Sequence, residues 1–243
     1  MVDFCIRLAG VPFRVEAAYE TTKKFCREYL TEEAPLFTVT LTKEHIDMVR
    51  ERHRPSASAE GRRLGRRSDN YWETLALCFE AMDRLVDFGV LLMHGSVLAA
   101  EGKAYLFTAK SGTGKTTHSR LWLQCFPECH ILNGDEPLLR FEGGQVYACG
   151  SPWRGKERYG INETLPLAAI CLLERDSVNR IREVSLADSL ETLLRQCHIP
   201  GGDDHFLSVL RLMQNFSGTK FYRLGCNMEE EAALVSYSAM VKR

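Results

Sequence analysis

Ala109-Lys110-Ser111-Gly112-Thr113-Gly114-Lys115-Thr116-Thr117 follows an apolar run, Ala104–Thr108, that reads as a strand. It precedes a helical pattern through Leu121, Trp122 and Cys125. Strand, glycine loop and helix in that order are the context a phosphate-binding loop requires. Gly112 and Gly114 let backbone N–H groups wrap phosphate oxygens without side-chain clash. The helix N-terminus adds its positive dipole end. In this reading Lys110, Ser111, Gly112, Thr113, Gly114, Lys115, Thr116 and Thr117 bind the phosphates of ATP or another nucleoside triphosphate. Lys115 reaches the β- and γ-phosphates, and the Thr116 hydroxyl ligates Mg²⁺. The usual motif opens with Gly where this chain has Ala109, so the loop is expected to need no positive φ there. The bland alternative is a glycine-rich turn that binds nothing.

A nucleotide site of this kind wants an acidic residue at the end of a neighbouring strand. Asp135 and Glu136 follow Ile131-Leu132-Asn133-Gly134, twenty residues beyond Lys115. Two adjacent carboxylates permit a division of labour: one holds Mg²⁺ while the other accepts the proton of an attacking hydroxyl. The metal ligands expected are Thr116, Asp135 and Glu136. His94 follows the apolar run Val90–Met93, and a His at a strand end can orient a carboxylate or tune its pKa; the bland reading is a satisfied core histidine. Ser151–Gly160 carries Arg154, Lys156 and Arg158 among two glycines and a proline. Its cations can stabilise charge on a transferring phosphoryl group, or they are an ordinary basic loop over Trp153. The run Cys125–His130 fits no strong zinc pattern. Gly201-Gly202-Asp203-Asp204 reads as a helix-capping turn.

Outside these stretches the composition is that of a globular chain. It has 243 residues, 31 Lys+Arg against 32 Asp+Glu, and 45% hydrophobic residues, which excludes global disorder and a wholly basic nucleic-acid binder. No apolar run is long enough to cross a bilayer, and no signal peptide is visible at Met1–Cys5. Nine scattered cysteines, an odd number, read as reduced thiols of a cytoplasmic protein. No membrane or nucleic-acid partner is expected.

The chain start reads as a hairpin: Val2, Phe4, Ile6 and Leu8 alternate, Ala9-Gly10 turns, and Val11, Phe13, Val15 and Ala17 alternate again. Phe37, Val39 and Leu41 repeat the pattern, and a short helix follows Thr42. Residues 50–69 gather Arg50, Arg52, Arg54, Arg62, Arg63, Arg66 and Arg67 around Pro55, Gly61 and Gly65 and read as an exposed loop, solvated rather than docking an acidic partner or closing on phosphate. Asn70 to about Asp87 predicts a helix, with Asn70 and Glu73 spaced as a capping box. Hairpins are expected at Glu101-Gly102 and Gly143-Gly144, a central strand at Leu167–Leu173, a helix capped by Ser185 and Asp188, another from Asp203, a strand at Phe221–Leu224 and a last helix capped by Asn227 and Glu230.

His94-Gly95 before the loop, Ser111–Thr116 within it and Asp135-Glu136 after it together resemble the catalytic domain of HPr kinase/phosphorylase, and the related nucleotide fold of phosphoenolpyruvate carboxykinase. The resemblance covers roughly residues 90–175. It implies a bacterial-type kinase in which Asp135 activates a serine hydroxyl and His94 contacts it. Glu136 stands where the family has a second Asp, and Arg154-Gly155 or Arg158-Tyr159-Gly160 stands for its Arg/Gly signature. The expected fold is α/β: a mixed sheet flanked by helices over 90–243, with a β-rich N-terminal elaboration over 1–89 packed on it. The expected activity is ATP- and Mg²⁺-dependent phosphorylation of a Ser/Thr hydroxyl on a protein or peptide acceptor, with Asp135, His94, Lys115, Arg158 and Arg154 catalytic; a homo-oligomer is allowed. A small-metabolite kinase and a nucleotide-binding regulatory module are the alternatives.

Overall fold

The computed structural model describes residues 1–59, 67–201 and 203–242. Gly61, Arg62, Arg63, Gly65, Arg66 and Gly202 lie outside the described residues. The chain divides into two units, Met1–Leu85 and Val86–Arg243.

In the first unit, β1 (Val2–Leu8) and β2 (Val11–Ala17) pair antiparallel, and β3 (Thr38–Thr40) runs parallel to β2. The alternating residues of both long strands are buried, as period two requires. Helices α1 (Glu20–Phe25), α2 (Lys43–Ala59) and α3 (Asp69–Leu85) complete the unit. α2 corrects the expectation of an open loop from residue 50. Its backbone stays helical through Ala59, because Ile46, Val49 and His53 form one face packed on α3. The His53 ring lies 5.8 Å from Trp72 and 6.2 Å from Phe79. Arg50 reaches both Asp47 and Asp69, so a solvated helix surface carries its charge as readily as a loop does.

Glu73 is a second correction. It is fully buried within the helix instead of capping it. Its carboxylate accepts from the backbone N–H groups of Ala18 at 2.7 Å and Tyr19 at 3.2 Å, and from the Thr22 hydroxyl. It therefore satisfies donors at the start of α1, while Asn70 bonds Ser68 and Thr21. A buried carboxylate persists only when donors surround it.

The second unit contains β4 (Val90–Leu92), β5 (Ser96–Ala100), β6 (Lys103–Thr108), α4 (Lys115–Cys125), β7 (His130–Asn133), β8 (Leu138–Glu142) and β9 (Gln145–Cys149). It continues with β10 (Thr164–Arg175), β11 (Arg180–Val184), α5 (Leu186–Gln196), α6 (Asp203–Met213), β12 (Lys220–Cys226) and α7 (Glu230–Met240). The main sheet runs β11-β12-β10-β6-β5-β7, with β12, β10 and β6 parallel. The antiparallel strands β4, β8 and β9 join only the first residues of β10, at Thr164–Pro166, so the mixed sheet curls. β10 is buried on both faces, as a central parallel strand must be. Cys171 and Leu173 face Trp122 of α4 and Tyr237 of α7, while Ile170 and Leu172 face Leu193 of α5 and Val209 of α6. Helices thus cover both sides.

The Gly143-Gly144 hairpin has positive φ at both residues, 59° and 77°, the two-residue turn that matches strand twist. Ser185 and Asp188 form the expected capping box of α5. α7 departs from expectation: Asn227 accepts from the Glu229 N–H at 2.9 Å and so closes a turn before the helix. β11 was not legible, because an edge strand of Arg180, Arg182 and Glu183 has no apolar alternation. Among the described residues no helix is long and apolar enough to cross a membrane.

His118 of α4 is buried, stacked near Phe107 at 4.7 Å, and its Nε2 is 3.1 Å from Ser236 Oγ of α7. Burial pushes its pKa from 6.5 down to about 4. The unfolded chain takes up this proton first, so the native state loses stability as pH falls from 6.5 towards 4. The loss from this group is about 3 kcal/mol. Denaturant titrations across that range should show His118→Gln, which keeps an N–H for Ser236, without that part of the slope. In the first unit, Glu73→Ala leaves three donors unpaired and is expected to cost about 3 kcal/mol in chemical denaturation.

Candidate functional site

β6 delivers the chain to Ala109, and the loop to Gly114 opens into α4 at Lys115. The positive φ values fall on Gly112, at 81°, and Gly114, at 128°, and Ala109 needs none. The Thr113 N–H and hydroxyl both donate to the Lys110 carbonyl, at 3.1 and 2.8 Å, which closes the loop on itself. Lys110, Ser111 and Thr116 are exposed, and Thr117 is half-buried.

Lys115 is different. Its side chain is buried, and its ammonium donates to the Ala109 carbonyl and to His94 Nε2, both at 3.0 Å. An ammonium has only donors, so His94 Nε2 accepts, and the imidazole proton is assigned to Nδ1. That nitrogen faces Asp135 Oδ1 at 3.4 Å. Burial, then the Lys115 charge, hold the His94 pKa below its ordinary value, with Asp135 working against both. Burial also lowers the pKa of Lys115, again opposed by Asp135. Three of the sequence-predicted residues, Lys115, His94 and Asp135, therefore stand in one line: ammonium, neutral imidazole, carboxylate.

The backbone around Asp135 is fixed at both ends. Its carbonyl accepts from the Gly95 N–H at 2.8 Å. The side chain of Asn133, fully buried, accepts from the N–H groups of Asp135 and Glu136, each at 2.9 Å. Asn133 Nδ2 donates to Ser151 Oγ at 2.9 Å, and that hydroxyl donates to the Glu136 carbonyl at 2.6 Å. Asn133 and Ser151 were not singled out from the sequence, although Asn before Gly-Asp-Glu is itself a turn signal.

The basic loop after β9 wraps this carboxylate with backbone. Gly134 donates to the Tyr159 carbonyl at 3.0 Å. Gly155 has φ 70°, and a Cβ there would lie 2.9 Å from Asp135 Oδ2; only Gly fits both the angle and the approach. Arg154 is half-buried and donates to the Ser151 carbonyl at 3.4 Å. Arg158 stands exposed on the outer turn with φ 55°. The group that the loop sets against Asp135 is thus Gly155. Trp153 is buried beneath. A further cation, Arg175 at the C-terminal end of β10, donates to the carbonyls of Gly112 and Thr113, the latter at 3.3 Å. Its signal was available: ligands of open α/β sheets bind beyond the carboxyl ends of the strands.

No family model matches this chain, and no curated protein matches it. Among solved structures it is similar to the Hpr(Ser) kinase/phosphatase from Coxiella burnetii, with 10% identity and a TM-score of 0.36. The match covers 62% of this chain and 97% of that one. A likeness this loose transfers neither residue roles nor activity.

Asn133→Ala should destabilise the second unit by about 2 kcal/mol, since two N–H groups and the Ser151 hydroxyl lose their partner. Asn133→Asp, which keeps the Oδ1 acceptor but sets a buried carboxylate oxygen against the Ser151 carbonyl in place of the donating Nδ2, should lose at least as much in the same urea titration.

Proposed function

We propose that this chain is an ATP-dependent phosphotransferase of the HPr serine kinase type, phosphorylating a Ser or Thr hydroxyl on a protein or peptide. The observation that carries the reading is the line Lys115–His94–Asp135 at the mouth of the glycine loop. It supplies the two things phosphoryl transfer asks of a protein: positive charge where phosphate charge gathers, and an oriented carboxylate for the acceptor proton.

In this reading the loop N–H groups hold the β- and γ-phosphates. Lys115 exchanges the Ala109 carbonyl and His94 for phosphate oxygens. Asp135 takes the acceptor's hydroxyl proton as its oxygen attacks the γ-phosphorus. The bond from that phosphorus to the β–γ bridging oxygen breaks, and the nucleoside diphosphate leaves with the electron pair. The His94 Nδ1–H steadies Asp135, and Arg154 with Arg158 screens the transferring charge.

The donor set fits Mg²⁺. Asp135, Glu136 and Thr116 are hard oxygen ligands, and Mg²⁺ takes one or two carboxylates plus substrate phosphates rather than a closed protein cage. When bound, the ion neutralises charge on the phosphates.

The test is transfer of label from γ-labelled ATP with Mg²⁺ into host lysate. A protein or peptide should be labelled by wild type and not by Lys115→Ala. Asp135→Asn should lower the rate by about 100-fold to 10,000-fold at saturating nucleotide; undiminished transfer would remove Asp135 as the base. Label on a small compound would make the chain a metabolite kinase. Nucleotide binding without Lys115-dependent transfer would make it a regulatory module.

A further inference from the structure

The glycine loop is braced at its middle from inside and from outside. Inside, Thr113 donates twice to the Lys110 carbonyl. Outside, Arg175 donates from Nη2 to the Gly112 carbonyl and from Nε to the Thr113 carbonyl, the latter at 3.3 Å. Sheet register puts Arg175 there. β6 ends at Thr108, opposite Leu172 of β10, and β10 runs on to Arg175 alongside the loop. The backbone at that point is anchored by β12: Arg175 lies opposite Cys226, and the Asp176 N–H donates to the Cys226 carbonyl at 3.1 Å. The Arg175 side chain itself is exposed and fills no core position.

Those two bonds decide which way the loop N–H groups point. In a trans peptide the C=O and the following N–H lie on opposite sides of the bond. The Gly112 carbonyl shares its plane with the Thr113 N–H, and the Thr113 carbonyl with the Gly114 N–H. Drawing both carbonyls to one guanidinium therefore turns both N–H groups away from it. The Thr113 N–H shows that direction, since it reaches the Lys110 carbonyl within the loop. The Gly114 N–H has no partner among the described residues. The two planes need such a clamp. Gly112 and Gly114 flank Thr113 at φ 81° and 128°, and a Cβ at either would meet nothing within 4 Å. Glycine torsions without packed neighbours leave a peptide plane free to turn. A lysine ammonium is a point charge, whereas the planar fork of Arg meets two carbonyls at once.

We infer that Arg175 is a positioning residue, whose guanidinium holds the 112–113 and 113–114 peptide planes so that the Thr113 and Gly114 N–H groups face the interior of the loop. The inference rests on the phosphotransferase reading for what those groups bind, the phosphate oxygens. Arg175 acts through the loop backbone and not as a charge on the phosphate. N–H groups already oriented bind an anion without the ordering cost of a mobile loop.

Two measurements on the full chain test this. One is isothermal titration with Mg²⁺ and either inorganic tripolyphosphate or ATP. The other is the backbone ¹⁵N order parameter of Thr113 and Gly114 without ligand. Wild type should bind, and Lys115→Ala should not. Arg175→Ala should bind about tenfold weaker, and its two order parameters should fall from about 0.85 to below about 0.6 before any ligand is added. Arg175→Lys keeps the charge and loses the fork, so it should bind about as weakly as Arg175→Ala. If Arg175→Lys restores wild-type affinity, or if the order parameters do not move, Arg175 acts by its charge and the inference is overturned. If Arg175→Ala binds as wild type does, the inference also fails, while the loop reading stands on Lys115→Ala. If wild type binds neither tripolyphosphate nor ATP, the phosphotransferase reading falls, and this inference with it.

Discussion

A lysine ammonium taken out of water has to be handed acceptors, and the way Lys115 receives them organises the second unit. One acceptor is the carbonyl of Ala109, at the end of β6; the other is His94, just beyond β4. β4 belongs to the curled antiparallel part of the sheet and β6 to its parallel core. The ammonium thus bridges the two parts at the point where the glycine loop leaves the sheet. An unpaired buried charge is among the costliest defects a fold can carry. The two strand ends are accordingly held together by one ammonium.

The same constraint sets the neighbouring carboxylate. His94 can accept from Lys115 only as the neutral tautomer with its proton on Nδ1, and that proton faces Asp135. Asp135 in turn is held by its backbone, through Gly95 on one side and Asn133 on the other. The side chains carry the charge, and the main chain carries the precision. The first unit uses a similar device for a structural end: Glu73, buried and surrounded by donors, fixes the start of α1.

Much of this was legible. Period-two runs give the hairpins, the spacing of Leu167–Leu173 gives the central strand, and Gly-x-Gly-Lys-Thr between strand and helix gives the loop. These are local signals, carried by residues adjacent in the chain. The readings that failed concern residues whose partners are remote. Glu73 is spaced as a capping residue, and its donors are more than fifty residues away. Arg50 and Arg52 look like loop charges, and packing of His53 against α3 keeps them on a helix. Asn133 and Ser151 are unremarkable polar residues until the curl of the sheet sets them side by side.

By itself the sequence determined the order of strands and helices in the second unit apart from the edge strand β11, the glycine loop, and the inventory of candidate groups: Lys115, His94, Asp135 and Glu136. Periodicity and turn chemistry are properties of neighbouring residues, and they survive without tertiary information. Tertiary structure alone decided which candidates meet and that Gly155 packs against Asp135. Those outcomes depend on the register and curl of strands far apart in the chain. They follow from the requirement that every buried polar group find a partner, which can be checked only when the whole fold is present.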